Sequence, residues 1–195
     1  LSVIYNNTID TNGTTDNYGI QIATRSYTNR VENNTIRTLG SGATNYGIYL
    51  VTSSNNTNIT ENRINTNGTS SNEGIRVSTD SGLDALVRNN ITTTGSGASN
   101  FGIYLVTRAT SNNVTNNVIN TSGTSNNYGI NLDTSTNDTL VLNNSIFSGG
   151  STSSNFGIYI LTLSFRNNIT HNRVFSRGTS SSEGIRLQNN GDINN

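Results

Sequence analysis

Aliphatic residues recur along this chain with a fixed long period rather than in blocks. A Gly-Ile pair returns at Gly19, Gly47, Gly74, Gly102, Gly129, Gly157 and Gly184, at intervals alternating between 28 and 27 residues. Two positions after each Ile stands a second aliphatic: Ile22, Leu50, Val77, Leu105, Leu132, Ile160 and Leu187. Two further on come Thr24, Thr52, Thr79, Thr107, Thr134, Thr162 and then Asn189. Alternation with period two places Ile, aliphatic and Thr on one face of a β-strand.

The rest of each period is as regular. Ile4, Val31, Ile59, Leu86, Val114, Val141 and Ile169 open it, and three residues later stands an asparagine: Asn7, Asn34, Asn62, Asn89, Asn117, Asn144 and Asn172. Two beyond comes Ile9, Ile36, Ile64, Ile91, Ile119, Ile146 or Val174, and then a Thr or Ser from Thr11 to Ser176. A second glycine, from Gly13 to Gly178, closes the segment. Such self-similarity predicts a solenoid of seven coils, each with three short strands separated by Asn or Gly corners. Stacked coils lie about 4.8 Å apart, so each backbone amide bonds to the coil above or below. Parallel crossovers in one sheet are right-handed, which sets the hand. The recurrent Asn is then an internal ladder of side-chain amides. The fold predicted is an all-β, right-handed parallel β-helix forming one domain over 1–195.

The motif N-x-I-x-T-x-G…N-[YF]-G-I-x-L, as in Asn89 to Leu105, resembles the parallel β-helix repeat of pectate-lyase-like and NosD-like proteins and of many surface proteins. The resemblance covers the whole chain and implies a fold. It implies little about function, because this scaffold hosts enzymes, binders and stalks alike. The clustered Asp with Arg or Lys of the pectate-lyase-like enzymes is absent, as are the Asn-Thr-Asp and Gly-His-Gly runs of the polygalacturonase-like ones. No catalytic residue carries over.

Composition narrows the function further. Asn, Ser and Thr fill nearly half of the 195 residues, and only 30% are hydrophobic. Only the periodicity separates this chain from a disordered polar tract. Net charge is zero and all 11 basic residues are Arg, so no basic stripe points to nucleic acid. No apolar run approaches the length of a membrane span. Without Cys, neither a disulfide framework nor a thiolate site can form. Sequons such as Asn33, Asn90, Asn113 and Asn168 occur about as often as chance expects in so Asn-, Ser- and Thr-rich a chain.

An active site must break the repeat, and departures are few. His171 is the single His and reads as a polar surface residue. Asp80, Asp84, Asp133 and Asp138 lie in loops, where paired carboxylates could hold Ca²⁺, but the equivalent loops carry Arg25, Arg30 or Arg108, so no acidic column forms. No metal or cofactor is expected, and an enzyme is disfavoured. On the outer face Tyr49, Tyr104 and Tyr159 form a column, with Arg76 and Arg186 placed to stack on the rings. Glu73 with Arg76, and Glu183 with Arg186, read as exposed local ion pairs.

The sequence thus favours an extracellular or cell-surface structural solenoid: a stalk, surface fibre or filament subunit. One alternative is a carbohydrate-binding or adhesin module using the Tyr column. Another is a fragment of a polysaccharide-active enzyme or phage tailspike. Counting on from Ile169, the next inward slot falls one residue beyond Asn195, so Leu1–Val3 share phase with Ile193–Asn195. Continuation of the stack is expected, by flanking coils or by a second copy end to end.

Overall fold

The computed structural model describes residues 1–161 and 163–188. It is a right-handed parallel β-helix with three sheets of seven strands each. The first sheet holds three-residue strands such as Val3–Tyr5 and Ala85–Val87. The second holds strands such as Thr8–Thr11 and Asn90–Gly95, and the third the longest, such as Asn100–Val106. Every pairing is parallel and joins equivalent slots of successive coils: Leu86 opposite Ile59 and Val114, Ile91 opposite Ile64 and Ile119, Ile103 opposite Ile75 and Ile130.

The inward aliphatics of the three sheets form one continuous core, with Ile48, Leu50, Ile59, Leu86, Ile91, Ile103, Leu105 and Ile130 fully buried. Each is capped above and below by its equivalent, so the core is a set of columns rather than a single cluster.

The marker glycine serves a purpose different from the one its residue type implies. Asn and Gly corners were expected to supply left-handed backbone, yet no described glycine has positive φ. The left-handed corner before each ladder asparagine is held by Asn6, Asn33, Asn116 and Asn143, as Asn allows, and by Glu61, Arg88 and His171, all with φ of 54–57°. A left-handed residue with a side chain costs about 1 kcal/mol; here the neighbouring coil's amide and carbonyl repeat the same corner and hold it. Gly102 is required by space. A Cβ there would run into the Ile119 Cγ2 methyl and lie 2.6 Å from the Gly129 carbonyl oxygen of the next coil. The register is the same on either side of this glycine, Phe101 pairing with Tyr128 and Ile103 with Ile130.

One expectation fails. Thr24, Thr52, Thr79, Thr107 and Thr134 do not continue the core face. They are exposed or half-buried in the turn that ends the third sheet, where Thr79, Thr107 and Thr134 have φ of 29°, 54° and 48°. The chain leaves the strand one residue after the second aliphatic, and the alternation ends with it. Thr162 and Asn189, and the end slots Ile193–Asn195, lie outside the described residues. The second Thr column is inside: Thr38, Thr66, Thr93, Thr121 and Ser148 are fully buried. Their hydroxyls find no hydrogen-bond partner.

Candidate functional site

The predicted Asn ladder is present from end to end. Asn34 Nδ2 donates to Asn62 Oδ1 at 3.0 Å, Asn62 to Asn89 at 3.0 Å, Asn89 to Asn117 at 3.1 Å and Asn117 to Asn144 at 3.0 Å. Asn7 and Asn172 extend it at 3.0 and 2.9 Å. The same oxygens accept the backbone N–H of the preceding coil's asparagine, as Asn89 Oδ1 does from Asn62 N at 3.0 Å. The second proton of each amide goes to a first-sheet carbonyl: Asn89 Nδ2 reaches Ile59 O at 2.9 Å. These groups are used up by the fold.

Sequence reasoning missed a second ladder. Asn17, Asn45, Asn72, Asn100, Asn127 and Asn155 stack at the entry to the third sheet, with Nδ2 to Oδ1 distances of 2.8, 2.9, 2.6, 2.8 and 2.7 Å along the column. Its signal was in the sequence, an Asn before every aromatic or Glu slot except at Ser182. The second glycine of each coil makes room for it. A Cβ on Gly95 would strike Asn100 Oδ1 and lie 2.5 Å from Asn72 Nδ2.

Outside the third sheet the aromatic residues interlock. Because the marker glycine and the Ile after it both face inward, the residue before the glycine and the residue after the Ile both face outward. Tyr18, Tyr46, Phe101, Tyr128 and Phe156 therefore stand beside Tyr49, Tyr104 and Tyr159. Phe101 and Tyr128 stack at 4.9 Å, Tyr128 and Phe156 at 5.2 Å, and Tyr46 meets Tyr49 edge-on at 5.3 Å. The Arg76 guanidinium lies 4.8 Å from the Tyr104 ring and 5.9 Å from Tyr49, and Arg186 lies 5.8 Å from Tyr159. Tyr104 donates to Asp133 at 3.1 Å and Tyr159 to Gln188 at 2.6 Å. Burial among these rings raises the Tyr46 and Tyr104 hydroxyl pKa values. Tyr49 and Tyr104 are half-buried and Tyr159 is buried, so the column is a packed layer rather than a solvated stripe.

The Glu73–Arg76 pair, expected to be exposed, belongs to this layer. Glu73 is 3% exposed and receives Arg76 Nη1 at 3.0 Å on both carboxylate oxygens. Burial pushes its pKa up to about 7, against the pull of Arg76. The aromatic columns on either side exclude water from it. The equivalent Glu183–Arg186 pair, at 3.2 Å, is exposed as expected.

The four aspartates do not meet, and Asp133 lies not in a loop but at the end of the strand Asn127–Asp133. Asp80 pairs with Arg108 at 2.6 Å and Asp138 with Arg166 at 2.7 Å, each across one coil, and these guanidinium groups lower both carboxyl pKa values. Asp133 accepts from Tyr104. Asp84 is buried, 1% exposed, in a corner column with Asn29, Thr57, Asn112, Thr139 and Asn167. Its Oδ1 accepts from Thr57 N at 2.7 Å, while its Oδ2 has no partner. Burial without a cation pushes its pKa up to about 8. Among the described residues no three His, Cys, Asp or Glu gather as a metal site. His171 is exposed beside Thr170, at 2.8 Å.

The parallel β-helix class rests on sequence as well as on topology: residues 1–92 match the family model described as a right handed beta helix region. A solved structure similar to this chain is that of the Streptococcus pneumoniae surface protein and adhesin PfbA. The two are 16% identical over 94% of this chain and 67% of that one, with a TM-score of 0.45. A comparison with curated proteins gave no match. No helix among the described residues is long and apolar enough to cross a membrane.

Proposed function

We propose that this chain is a structural β-solenoid of the cell surface, a segment of a stalk, surface fibre or filament. The observation that carries the reading is the unbroken stacking of the first Asn ladder and of all three sheets through every described coil, with the second ladder running alongside from Asn17 to Asn155. The buried asparagines of the two ladders hold coil to coil, and among the described residues no three His, Cys, Asp or Glu gather to interrupt the repeat. Such a rod resists local opening, because each coil is covered on both sides. It extends by adding coils, from the same chain or from a second copy end to end.

A second reading is favoured by the aromatic layer: Tyr49, Tyr104 and Tyr159, with Arg76 and Arg186, offer a continuous surface on which a polysaccharide chain can lie. Antibody against this chain should label intact, unpermeabilised cells of the native source, and brief trypsin treatment of those cells should release a fragment containing residues 1–188 uncut. Labelling only after permeabilisation would remove the surface assignment. Rapid cleavage inside the coils would remove the rod.

A further inference from the structure

The outer face of the second sheet changes character over its last three strands, Val118–Gly123, Ser145–Gly150 and Arg173–Arg177. In earlier coils the middle outward slot holds Asp10, Arg37, Asn65 and Thr92; here it holds Asn120, Phe147 and Phe175. Phe147 and Phe175 stack at 5.3 Å and 12°, yet remain 37% and 58% exposed. Phe147 leans over Gly149, where a Cβ would lie 3.0 Å from its ring. Beside the rings runs an open groove of about 460 Å³, lined by Val118, Asn120, Ser145 and Arg173 together with Phe147 and Phe175. A second hollow on the far side of Phe147 is bounded by Arg177.

The charge here is unbalanced. Seven of the eleven arginines have carboxylate partners among the described residues; Arg25, Arg63, Arg173 and Arg177 have none, and of these only Arg173 and Arg177 stand together, on one strand beside exposed rings. No outward position of these three strands is acidic. Two exposed phenyl rings flanked by two unpaired guanidinium groups, spaced about 13 Å apart along one strand, complement a ligand with both apolar faces and fixed negative charges.

From this arrangement we infer that the face around Phe147, Phe175, Arg173 and Arg177 binds an acidic glycan, one whose sugar rings carry carboxylates. The apolar C–H face of a sugar packs on an aromatic ring. Its carboxylate takes the paired N–H groups of a guanidinium. Its hydroxyls find Ser145 and Asn120 in the groove lining. The face presents side chains standing off the sheet, while the backbone groups between these strands are already paired coil to coil; an extended peptide would instead dock by pairing its main chain with a strand. This site is separate from the Tyr49–Tyr104–Tyr159 layer, which lies on the third sheet, and it stands whether or not the chain is a stalk.

The test uses hexasaccharides of galacturonate, of mannuronate and guluronate, and of hyaluronan, with methyl-esterified galacturonate hexamer and a poly-glutamate peptide as comparators. At least one acidic hexasaccharide is expected to bind in calorimetry. Esterification, and separately the double substitution R173Q and R177Q, should each weaken that binding at least about tenfold. The double variant should keep the wild-type circular dichroism, and a Tyr49, Tyr104 and Tyr159 triple Ala variant should still bind. Failure of all three acidic hexasaccharides would overturn the inference, as would equal binding by the ester or by the double Gln variant. Tighter binding of poly-glutamate would assign the face to an acidic peptide instead. Loss of binding in the Tyr variant alone would move the glycan to the third sheet.

Discussion

Asp84→Asn is expected to stabilise the fold by about 2–4 kcal/mol at pH 7. Asp84 is an acid whose folded pKa, about 8, lies above its ordinary value. The folded state therefore holds a proton that the unfolded chain has released. Stability from this group is intact below pH ~4 and falls as pH rises towards 8, by at most ~1.4 kcal/mol per unit. Asparagine removes the dependence and supplies what the column needs. The equivalent Asn167 accepts from Thr139 N at 2.9 Å and donates Nδ2 to Thr136 O at 2.8 Å. Asn at 84 can accept from Thr57 N in the same way and reach the Ser54 carbonyl. Denaturant titrations of both proteins from pH 4 to 9 check this. The raised pKa of Glu73 gives both proteins a common slope, so the difference between them isolates Asp84. Parallel curves without a gap would mean that Asp84 is ionised and solvated.

Asn89→Leu should cost about 3–5 kcal/mol, the largest loss expected for a single polar side chain here. Asn89 takes part in four hydrogen bonds through its side chain. Its Nδ2 donates to Ile59 O and Asn117 Oδ1, and its Oδ1 accepts from Asn62 N and Asn62 Nδ2. Leucine matches the volume but leaves the Asn62 N–H and the Ile59 carbonyl buried and unpaired, at ~1–3 kcal/mol each. Asn62 Nδ2 keeps Val31 O and Thr60 O, and Asn117 Oδ1 keeps the Asn89 N–H, so the damage is confined to the two main-chain groups. The neighbouring Asn90, exposed on the second sheet, provides the control: Asn90→Leu should change stability by less than about 0.5 kcal/mol. The comparison is made by urea denaturation of the three proteins under one condition.

What the sequence reveals follows from the stacking itself. A slot that repeats every 27 or 28 residues has itself as neighbour, so a wrong residue there would be felt by two coils. Ile59, Asn89 and Ile103 were therefore readable as inward positions. The Thr79 slot was misread because period-two counting carries no sign of where a strand ends, and the turn begins one residue earlier than the alternation suggests. Asp84 escaped notice as a buried group because burial at a corner depends on how the loop folds under its neighbour. The burial of Glu73 depends on the rings of Tyr46 and Phe101 above and below it, which no local pattern announces. Phe147 and Phe175 were passed over because the eye for repeats discounts the slots that vary, and those are the slots open to a partner.

A continuous coil stack presented at a cell surface is tested most directly by cryo-electron microscopy of the native protein on its own cells. The predicted result is a straight, antibody-labelled rod projecting from the surface, with axial density layers about 4.8 Å apart running without a break through this segment. A compact particle inside the cell, or a labelled segment lacking that layer spacing, would contradict it.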